Sequence, residues 1–438
     1  MSWQAEYKSK LRTAEEAVQN IKSGDIVVLG HCVSEPVALV RAMVANASAY
    51  KGVRIQQLLS VSEAPYAAED MKEHFRFEAF FCSQGNRRAV TGGYGDVIPV
   101  YFSDVPKYIR QGILPIDVCL VLVSEPDDEG YVYIACEAGM TYQAVLSAKL
   151  VIAQVTSHAP QIFGDTKIHV SDIDVFVEID DPLPTSSEIE IGPVQQKIGD
   201  YCASLVEDGS TIQVGLGGIP NAVMNALADK KHLGVHTELI SDGILRLYEA
   251  GVIDNSRKNL DQGKIVATLV LGSRKLYDFC HRNPEMILRT VDYTNAPYIV
   301  AKQPKMVAIN AAIEVDLYGQ VVSESIGKRH FSGVGGQVDF VRGAALSEDG
   351  LGKAVITLSS TATLRDGTVV SRISPFLREG TPVTVNRYDV DYIVTEYGIA
   401  HLKGKSLQQR GRDLIQIAHP DFREGLEKAF FEHYHVLP

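Results

Sequence analysis

The sequence predicts an α/β protein with two open, mainly parallel-sheet domains, one over residues 1–190 and one over residues 191–438. Short, uniformly apolar segments alternate with helical ones, which is typical of parallel strands covered by helices. A unit of helix, strand, glycine turn and helix recurs at an offset of 185 residues, from Gly24 to Gly209. The length of 438 residues also exceeds one ordinary domain. Two related α/β halves, joined near residues 182–192, are therefore expected.

The first copy of the repeat begins with a helix that Thr13 is expected to cap, and a proline opens the helix after each glycine turn. A glycine turn followed by a proline is common between strands and helices in general. The alternative therefore stays open that the two units are similar without being copies of one another. The predicted strand, turn and second helix are residues 26–29, 30–36 and 37–45 in the first copy, and 211–214, 215–220 and 222–227 in the second.

Further short apolar runs predict the remaining strands of both sheets. Ligands of such sheets bind beyond the carboxyl ends of the strands, and Glu238, the glycines at 215–218 and Asn310 all lie at or near predicted strand ends. These strands are residues 53–61, 75–83, 118–123 and 150–155 in the first half, and 239–240, 265–271, 306–310, 355–358 and 392–395 in the second.

Composition excludes several classes of protein. The chain is 45% apolar and 22% charged, as in a globular protein with a large core, and no run approaches the roughly 18 apolar residues of a membrane span. The net charge of −12 argues against general nucleic-acid binding. The first residues of the sequence lack the hydrophobic run of a signal region, so a cytoplasmic location is expected. Six cysteines without paired spacing are expected to be reduced core thiols: Cys32, Cys82, Cys119, Cys136, Cys202 and Cys280.

One carboxylate and two glycine clusters are the candidate catalytic groups. Glu238 lies in VHTELISDG at 235–243, between VGLGGIP at 214–220 and GVGGQVDF at 333–340. Glycines expose backbone N–H groups that can stabilise an oxyanion, and a carboxylate can attack an acyl group. A glutamate near a strand end is more often a solvated rim residue, and a glycine turn alone indicates only a tight connection. The combination favours covalent acyl chemistry.

Other sites fit the sequence poorly. Asn221 and Ala222 stand where a dinucleotide motif needs its third glycine, and the glycines at 398 and 404 are spaced by five residues where a P-loop needs four. No histidine pair has metal-ligand spacing on one helical face, so no metal is expected.

Taken together, the motifs resemble the acetyl-CoA hydrolase/transferase family, in particular its 4-hydroxybutyrate and butyryl-CoA:acetate transferase branch. The resemblance covers nearly the whole chain. It rests on GHCVSEP at 30–36, VGLGGIP at 214–220, HTELISDG at 236–243, LYEAGV at 247–252, FSGVGGQVDFVRG at 331–343, VTEYGIA at 394–400 and IAHPDFR at 417–423.

The resemblance implies a CoA-transferase-like fold, coenzyme A as co-substrate and Glu238 as the covalent nucleophile. Asp242 is the alternative, since related oxoacid enzymes place their glutamate two residues before a glycine, in a Glu-Asn-Gly sequence. Implied CoA contacts are Gly215, Leu216, Gly217, Gly218, Ile219, Asn310, Gly333, Gly335, Gly336 and Lys353. The acyl pocket is expected on the side of the first domain, with residues 84–88, residues 91–95, His31 and Cys32 as candidate walls.

The expected reaction moves CoA between a short acyl-CoA, such as 4-hydroxybutyryl- or butyryl-CoA, and an acid such as acetate, through glutamyl anhydride and glutamyl-CoA intermediates. Hydrolysis of acyl-CoA is the alternative, and a non-catalytic protein that binds CoA or a sugar phosphate is a more distant one. The resemblance also implies that the protein forms a homodimer or a higher homo-oligomer. Its expected binding partners are small molecules, not nucleic acids or membranes.

Overall fold

The computed structural model describes residues 2–186 and 190–435, which divide into two units. The first unit comprises residues 2–186, Val266–Thr294 and Phe331–Gly335, and the second comprises residues 190–265, Asn295–His330 and 336–435. The expected junction at 182–192 includes residues 187–189, which lie outside the described residues.

The division differs from the single boundary at 190/191, because residues 266–294 and 331–335 pack with the first unit. Backbone hydrogen bonds explain the first of these assignments: Ala138 N–H donates to Thr268 O at 2.9 Å, and Val270 N–H donates to Cys136 O at 2.8 Å. Cys82 N–H binds Ser332 O at 3.2 Å in the same way. These contacts join residues far apart in the chain, so local sequence patterns did not predict them.

A seven-stranded, fully parallel sheet forms the centre of the first unit. Its central strands are mostly apolar because both faces of the sheet are covered, as the uniform burial of Val118–Ser124 illustrates. Successive residues serve opposite faces: Val118 and Leu120 join one buried cluster, whereas Cys119 and Val121 join the other. In spatial order the strands are Val175–Glu178, Leu150–Thr156, Val118–Ser124, Ile26–Leu29, Val53–Gln57, Phe75–Ala79 and Asp96–Val97.

Helices and short strands complete the first unit. Thr13 caps its helix through a capping box, as predicted: Thr13 Oγ1 accepts from Glu16 N–H at 3.2 Å, and a Glu16 oxygen accepts from Thr13 N–H at 3.0 Å. The α-helices are Trp3–Ser9, Ala14–Val18, Val37–Ala45, Arg87–Thr91, Val105–Arg110, Thr141–Ser147, Arg274–Cys280 and Val291–Thr294. The 3₁₀-helices are Cys32–Ser34, Ala47–Ala49, Pro65–Ala67, Glu69–Met71, Phe102–Asp104 and Val170–Asp172, and the short strands are Tyr131–Tyr133, Phe163–Gly164, Lys167–His169, Leu269–Val270 and Met286–Leu288.

A six-stranded sheet forms the centre of the second unit, and only its last strand is antiparallel. In spatial order its strands are Gly234–Val235, Thr211–Val214, Val307–Ala311, Lys353–Thr357, Tyr392–Thr395 and Gly398–His401. Its α-helices are Pro193–Ser204, Gly218–Ala226, Asp242–Glu249, Pro297–Val300, Gln337–Ala345, Leu407–Gln416 and Pro420–Tyr434. Short strands are Leu239–Ile240, Glu314–Asp316, Val321–Val322, Ser325–Ile326, Arg329–His330, Thr361–Thr363, Val369–Ser371 and Ile373–Ser374, and Ile265–Ala267 crosses the division.

The predicted fold class is confirmed as α/β with mainly parallel sheets. Strands Ile26–Leu29 and Thr211–Val214 stand at the predicted offset, each followed by a turn and a helix. The six cysteines are buried and free, as expected of core thiols. Within residues 2–186 and 190–435, no helix is long and apolar enough to cross a membrane.

Candidate active site

Glu238 lies in the loop between strands Gly234–Val235 and Leu239–Ile240, just before helix Asp242–Glu249. Its side chain is half-buried, and the preceding His236 and Thr237 are fully buried. His236 N–H donates to Ile212 O at 3.2 Å, and Thr237 Oγ1 lies 3.5 Å from Val214 O. The loop is thus fixed against strand Thr211–Val214, at the carboxyl edge of the second sheet.

Two side chains from a neighbouring loop hold Val235, three residues before Glu238. Asn255 Oδ1 accepts from Val235 N–H at 2.9 Å, and Lys258 Nζ donates to Val235 O at 2.9 Å and to Lys264 O at 2.8 Å. Lys258 is almost fully buried, and this burial lowers its pKa to about 7. An ionisable group therefore supports the backbone that leads into Glu238.

Asn295 fixes the Glu238 carboxylate. Its Nδ2 donates to Glu238 Oε2 at 2.6 Å, which is short for an amide–carboxylate hydrogen bond, and the asparagine side chain is fully buried. Its Oδ1 is buried and accepts no hydrogen bond from the described residues. Sequence reasoning missed this residue, because an asparagine two positions before a proline that opens a helix is unremarkable locally.

Gly336 lies against the same carboxylate. A Cβ atom at this position would stand 2.0 Å from Glu238 Oε2 and 2.2 Å from Asn295 Nδ2. Its φ of −95° suits any residue, so space and not backbone conformation requires glycine here. Helix Gln337–Ala345 begins immediately afterwards, and the positive end of its dipole favours a negative charge nearby.

The predicted glycine cluster is divided between the two units. Gly333 and Gly335 belong to the first unit, where a Cβ at Gly333 would meet Phe80 O at 2.7 Å and Gly335 adopts a φ of +53°. Gly336 belongs to the second unit. The three glycines are therefore required for different reasons: close backbone approach, positive φ and room for Glu238.

The first glycine loop opens helix Gly218–Ala226. Gly217 has a φ of +131°, which only glycine adopts readily, and Leu216 is exposed. A Cβ at Gly215 would meet nothing within 4 Å, so the protein itself does not require glycine there. Because Val214 pairs with Ile309, Gly215 lies level with Asn310 on the adjacent strand.

Comparison with known proteins identifies the family of this chain. Residues 1–186 match the acetyl-CoA hydrolase/transferase N-terminal domain, and residues 272–430 match the corresponding C-terminal domain. The 4-hydroxybutyrate coenzyme A transferase of Clostridium kluyveri is 49% identical over 98% of this chain and 99% of its own length. This chain belongs to the acetyl-CoA hydrolase/transferase family. The membership predicted from sequence is confirmed.

Two further members of the family show how far the similarity extends. The butyryl-CoA:acetate CoA-transferase of Anaerostipes caccae is 37% identical over 98% of this chain and 97% of its own length. The crystal structure of 4-hydroxybutyrate CoA-transferase from Porphyromonas gingivalis superposes with a TM-score of 0.84 at 36% identity, covering 99% of this chain and all of that one. The acetyl-CoA hydrolase/transferase fold thus extends over both units.

Of the remaining predicted contacts, Asn310 lies near the site and Lys353 does not. Asn310 exchanges two hydrogen bonds with Gln213, at 3.0 and 3.3 Å. Gln337 Nε2 donates to Ala311 O at 3.0 Å, which brings the start of helix Gln337–Ala345 to the same strand end. Lys353 begins its strand at the opposite edge, where Nζ binds Leu205 O at 2.8 Å and Glu207 at 3.0 Å.

The candidate acyl-pocket residues divide into two groups within the first unit. Gln84, Gly85 and Arg88 line a large cavity. His31 and Cys32 are fully buried, and His31 Nε2 lies 2.9 Å from a Glu137 carboxylate oxygen that is equally buried. Among the described residues, no group of three or more His, Cys, Asp or Glu side chains is arranged to hold a metal ion.

Proposed function

We propose that this protein is a CoA-transferase that moves CoA between a short-chain acyl-CoA, such as butyryl- or 4-hydroxybutyryl-CoA, and an acid such as acetate, with Glu238 as the nucleophile. The observation that carries the proposal is the half-buried Glu238 carboxylate bound by Asn295 at 2.6 Å beside the bare backbone of Gly336. The missing side chain lets the Glu238 carboxylate lie against the backbone at the start of helix Gln337–Ala345, where N–H groups can stabilise an oxyanion that forms beside the attacking oxygen.

The first half-reaction releases the donor acid. The Glu238 carboxylate attacks the thioester carbonyl, and the oxyanion is stabilised by backbone N–H groups near Gly336, at about 3 kcal/mol each. The C–S bond breaks and CoA leaves as a thiolate, which gives an acyl-glutamyl anhydride. The thiolate then attacks the glutamyl carbonyl, so that the donor acid departs as a carboxylate and Glu238 becomes a glutamyl-CoA thioester.

The second half-reaction reverses these steps with the acceptor acid. The acceptor carboxylate attacks the glutamyl thioester and expels CoA thiolate, which then attacks the acyl carbonyl of the new anhydride. The products are a new acyl-CoA and the free Glu238 carboxylate, so no net proton or external energy source is needed. Asn295 holds the carboxylate in the attacking orientation, which is an entropic contribution to catalysis.

Coenzyme A is proposed to contact the loop from Gly215 to Ile219 and the neighbouring Asn310. The open space at Gly215 and the exposed Leu216 support this assignment, since a cofactor can approach the backbone at a helix start. Gly333 and Gly335 are proposed to shape the segment that precedes Gly336. Lys353 is left out of the proposed site because its ammonium group is already bound by Leu205 and Glu207.

The test is a covalent adduct. After incubation with butyryl-CoA and no acceptor, peptide mass spectrometry should find CoA on Glu238, and Glu238→Gln should lose both the adduct and transfer to acetate. Glu424→Gln, an exposed glutamate on helix Pro420–Tyr434, is the control and should keep both. An adduct on another residue, or full activity in Glu238→Gln, would overturn the assignment. Release of CoA without any acid acceptor would identify the hydrolase instead.

A further inference from the structure

A cavity of about 1230 Å³ lies within the first unit, among the loops that follow the carboxyl ends of its strands. Small-molecule sites typically measure about 300–1,000 Å³ and occupy this edge of a parallel sheet. The helix Val37–Ala45 contributes one face to the lining, through Val37, Val40 and Arg41. These positions are three and four residues apart, so their side chains share one side of the helix.

Gln154 presents an unused hydrogen-bond donor to this cavity. The side chain is 2% exposed, and its Oε1 accepts from the backbone N–H groups of Ala38 at 3.1 Å and Leu39 at 3.4 Å. These two bonds fix the orientation of the amide, since only the oxygen can accept. In the part of the chain that the structure describes, Nε2 has no acceptor. The remaining N–H groups of the amide are therefore open to the cavity, where an acceptor atom of a ligand can bind them.

Arg41 supplies an unpaired cation to the same cavity. It lines the cavity three residues after Ala38, and its guanidinium forms no hydrogen bond or ion pair with any described residue. Glu63 and Asp181, two solvent-exposed carboxylates that also line the cavity, do not pair with it. The arginine is therefore available to an anionic group.

The remaining lining combines apolar side chains with a carboxyl that is already fully bound. Val37, Val61 and Pro65 give the cavity accessible apolar surface, whereas Val40 and Leu122 are buried in the core. Glu35 accepts from Ser62 Oγ at 2.6 Å, Ser60 Oγ at 2.9 Å and Val61 N–H at 2.9 Å, so it holds the loop at 60–62 in place. Burial raises the pKa of the Glu35 carboxyl, which reduces the negative charge that it presents to a ligand.

We propose that this cavity binds a small organic acid, with its carboxylate on Arg41 and the Gln154 amide and its hydrocarbon chain against Val37, Val61 and Pro65. The identity of the acid, butyrate or a close homologue, rests on the proposed function. The proposed anion-binding groups and the apolar lining do not depend on the proposed function, because all of these residues belong to the first unit.

Calorimetric titration of butyrate into the full chain, without CoA, tests the site. Binding is expected, and affinity should rise about fourfold per methylene from acetate to butyrate to hexanoate, as the apolar lining covers more chain. Inorganic phosphate is the second arm: it shares the negative charge but lacks the chain, so it should bind at least tenfold more weakly than butyrate.

Two variants separate the ligand contacts from the fold. Gln154→Glu keeps the oxygen that accepts from Ala38 and Leu39 but replaces the donor with a second oxygen, so butyrate should bind at least tenfold more weakly. Arg41→Gln should cause a similar loss, and Arg41→Lys should recover part of it. The control Arg76→Gln removes an exposed arginine that pairs with Asp96 outside the cavity lining, and it should bind butyrate normally.

The predicted binding of butyrate in this cavity does not depend on Glu238. Glu238→Gln should bind butyrate with unchanged affinity even though it forms no adduct, so failure of the proposed function and failure of this site are distinguishable. The proposal is overturned if butyrate does not bind, if Arg41→Gln and Gln154→Glu both bind it normally, or if phosphate binds as tightly as butyrate.

Discussion

Gly336 illustrates how one position can be decided by its neighbours and not by its own backbone. Its φ of −95° would suit alanine, yet a Cβ atom there would lie 2.0 Å from the Glu238 carboxylate. Gly217 is the opposite case, because its φ of +131° excludes most side chains while the surrounding space is open. Both glycines lie in motifs that predicted a site. Only the tertiary structure shows that one is required for space and the other for its backbone conformation.

We expect Gly336→Ala to lower kcat/KM for acyl transfer by about 100-fold or more. The added methyl group must displace Glu238 or Asn295, and a misplacement of about 1 Å costs roughly 10²-fold in rate. Steady-state kinetics with butyryl-CoA and acetate measures the effect. Gly425→Ala is the matched control, because a Cβ there meets nothing within 4 Å on helix Pro420–Tyr434. Activity within twofold of the parent protein in Gly336→Ala would contradict the site geometry.

At the same scale, the sequence identified Glu238 but not Asn295. The glutamate was singled out by motifs on both sides of it in the chain. Asn295 is 57 residues away and reaches the carboxylate only through folding of the second unit. Hydrogen bonds between side chains so distant along the chain leave no local pattern.

At the scale of elements, the apolar runs predicted the principal strands well. The predicted runs 118–123 and 150–155 correspond to Val118–Ser124 and Leu150–Thr156, because strands buried on both faces are mostly apolar. Antiparallel pairs of short strands, such as Tyr131–Tyr133 with Lys167–His169, were missed. A segment of three residues is too short to display a period of two above chance.

The turn at 215–218 carries a prediction at this scale. Gly215→Ala should leave the midpoint of urea unfolding unchanged, because no protein atom lies within 4 Å of the new Cβ. If CoA approaches this backbone, the methyl group should raise KM for acyl-CoA at least fivefold, since it holds the ligand away from the N–H groups. Unfolding curves and KM measurements test both parts, with Gly425→Ala again as control. An unchanged KM would remove Gly215 from the proposed CoA contact.

At the scale of the whole molecule, Lys258 should make stability depend on pH. Its pKa is about 7 in the folded chain, below its ordinary value of 10.5, because burial disfavours the charged form. Below pH 7 the ammonium is protonated in both states and its burial destabilises the fold by a constant amount. Between pH 7 and 10.5 only the unfolded chain stays protonated, so the stability contributed by this residue rises with pH, by up to about 1.4 kcal/mol per unit.

Lys258→Met removes this dependence. The urea midpoint of the parent protein should rise relative to that of Lys258→Met as pH increases from 7 to 9, and the difference should be constant between pH 5 and 6. Lys72→Met, which removes an exposed lysine 3.7 Å from Glu69, serves as the control and should show no such trend. A parent-to-variant difference that stays flat from pH 5 to 9 would show that Lys258 does not titrate in this range.

The division of the chain into units also belongs to this scale. Two parallel sheets were predicted, but the packing of residues 266–294 and 331–335 with the first unit was not. Hydrogen bonds such as Ala138 N–H to Thr268 O join residues 130 positions apart. Which unit takes a segment depends on such long-range contacts, whereas strand and helix formation depends mostly on neighbours in the chain.

The sequence by itself determined the fold class, most strands and the family, and it singled out Glu238 as the candidate nucleophile, because apolar runs and short motifs are local in the chain. Only the tertiary structure decided that Asn295 holds Glu238, that Gly336 must lack a side chain, and that Lys353 stands at the far edge of its sheet. It also brought Arg41 and Gln154 to one cavity. Distances between side chains remote in sequence are set by packing of the whole chain, which no segment encodes alone.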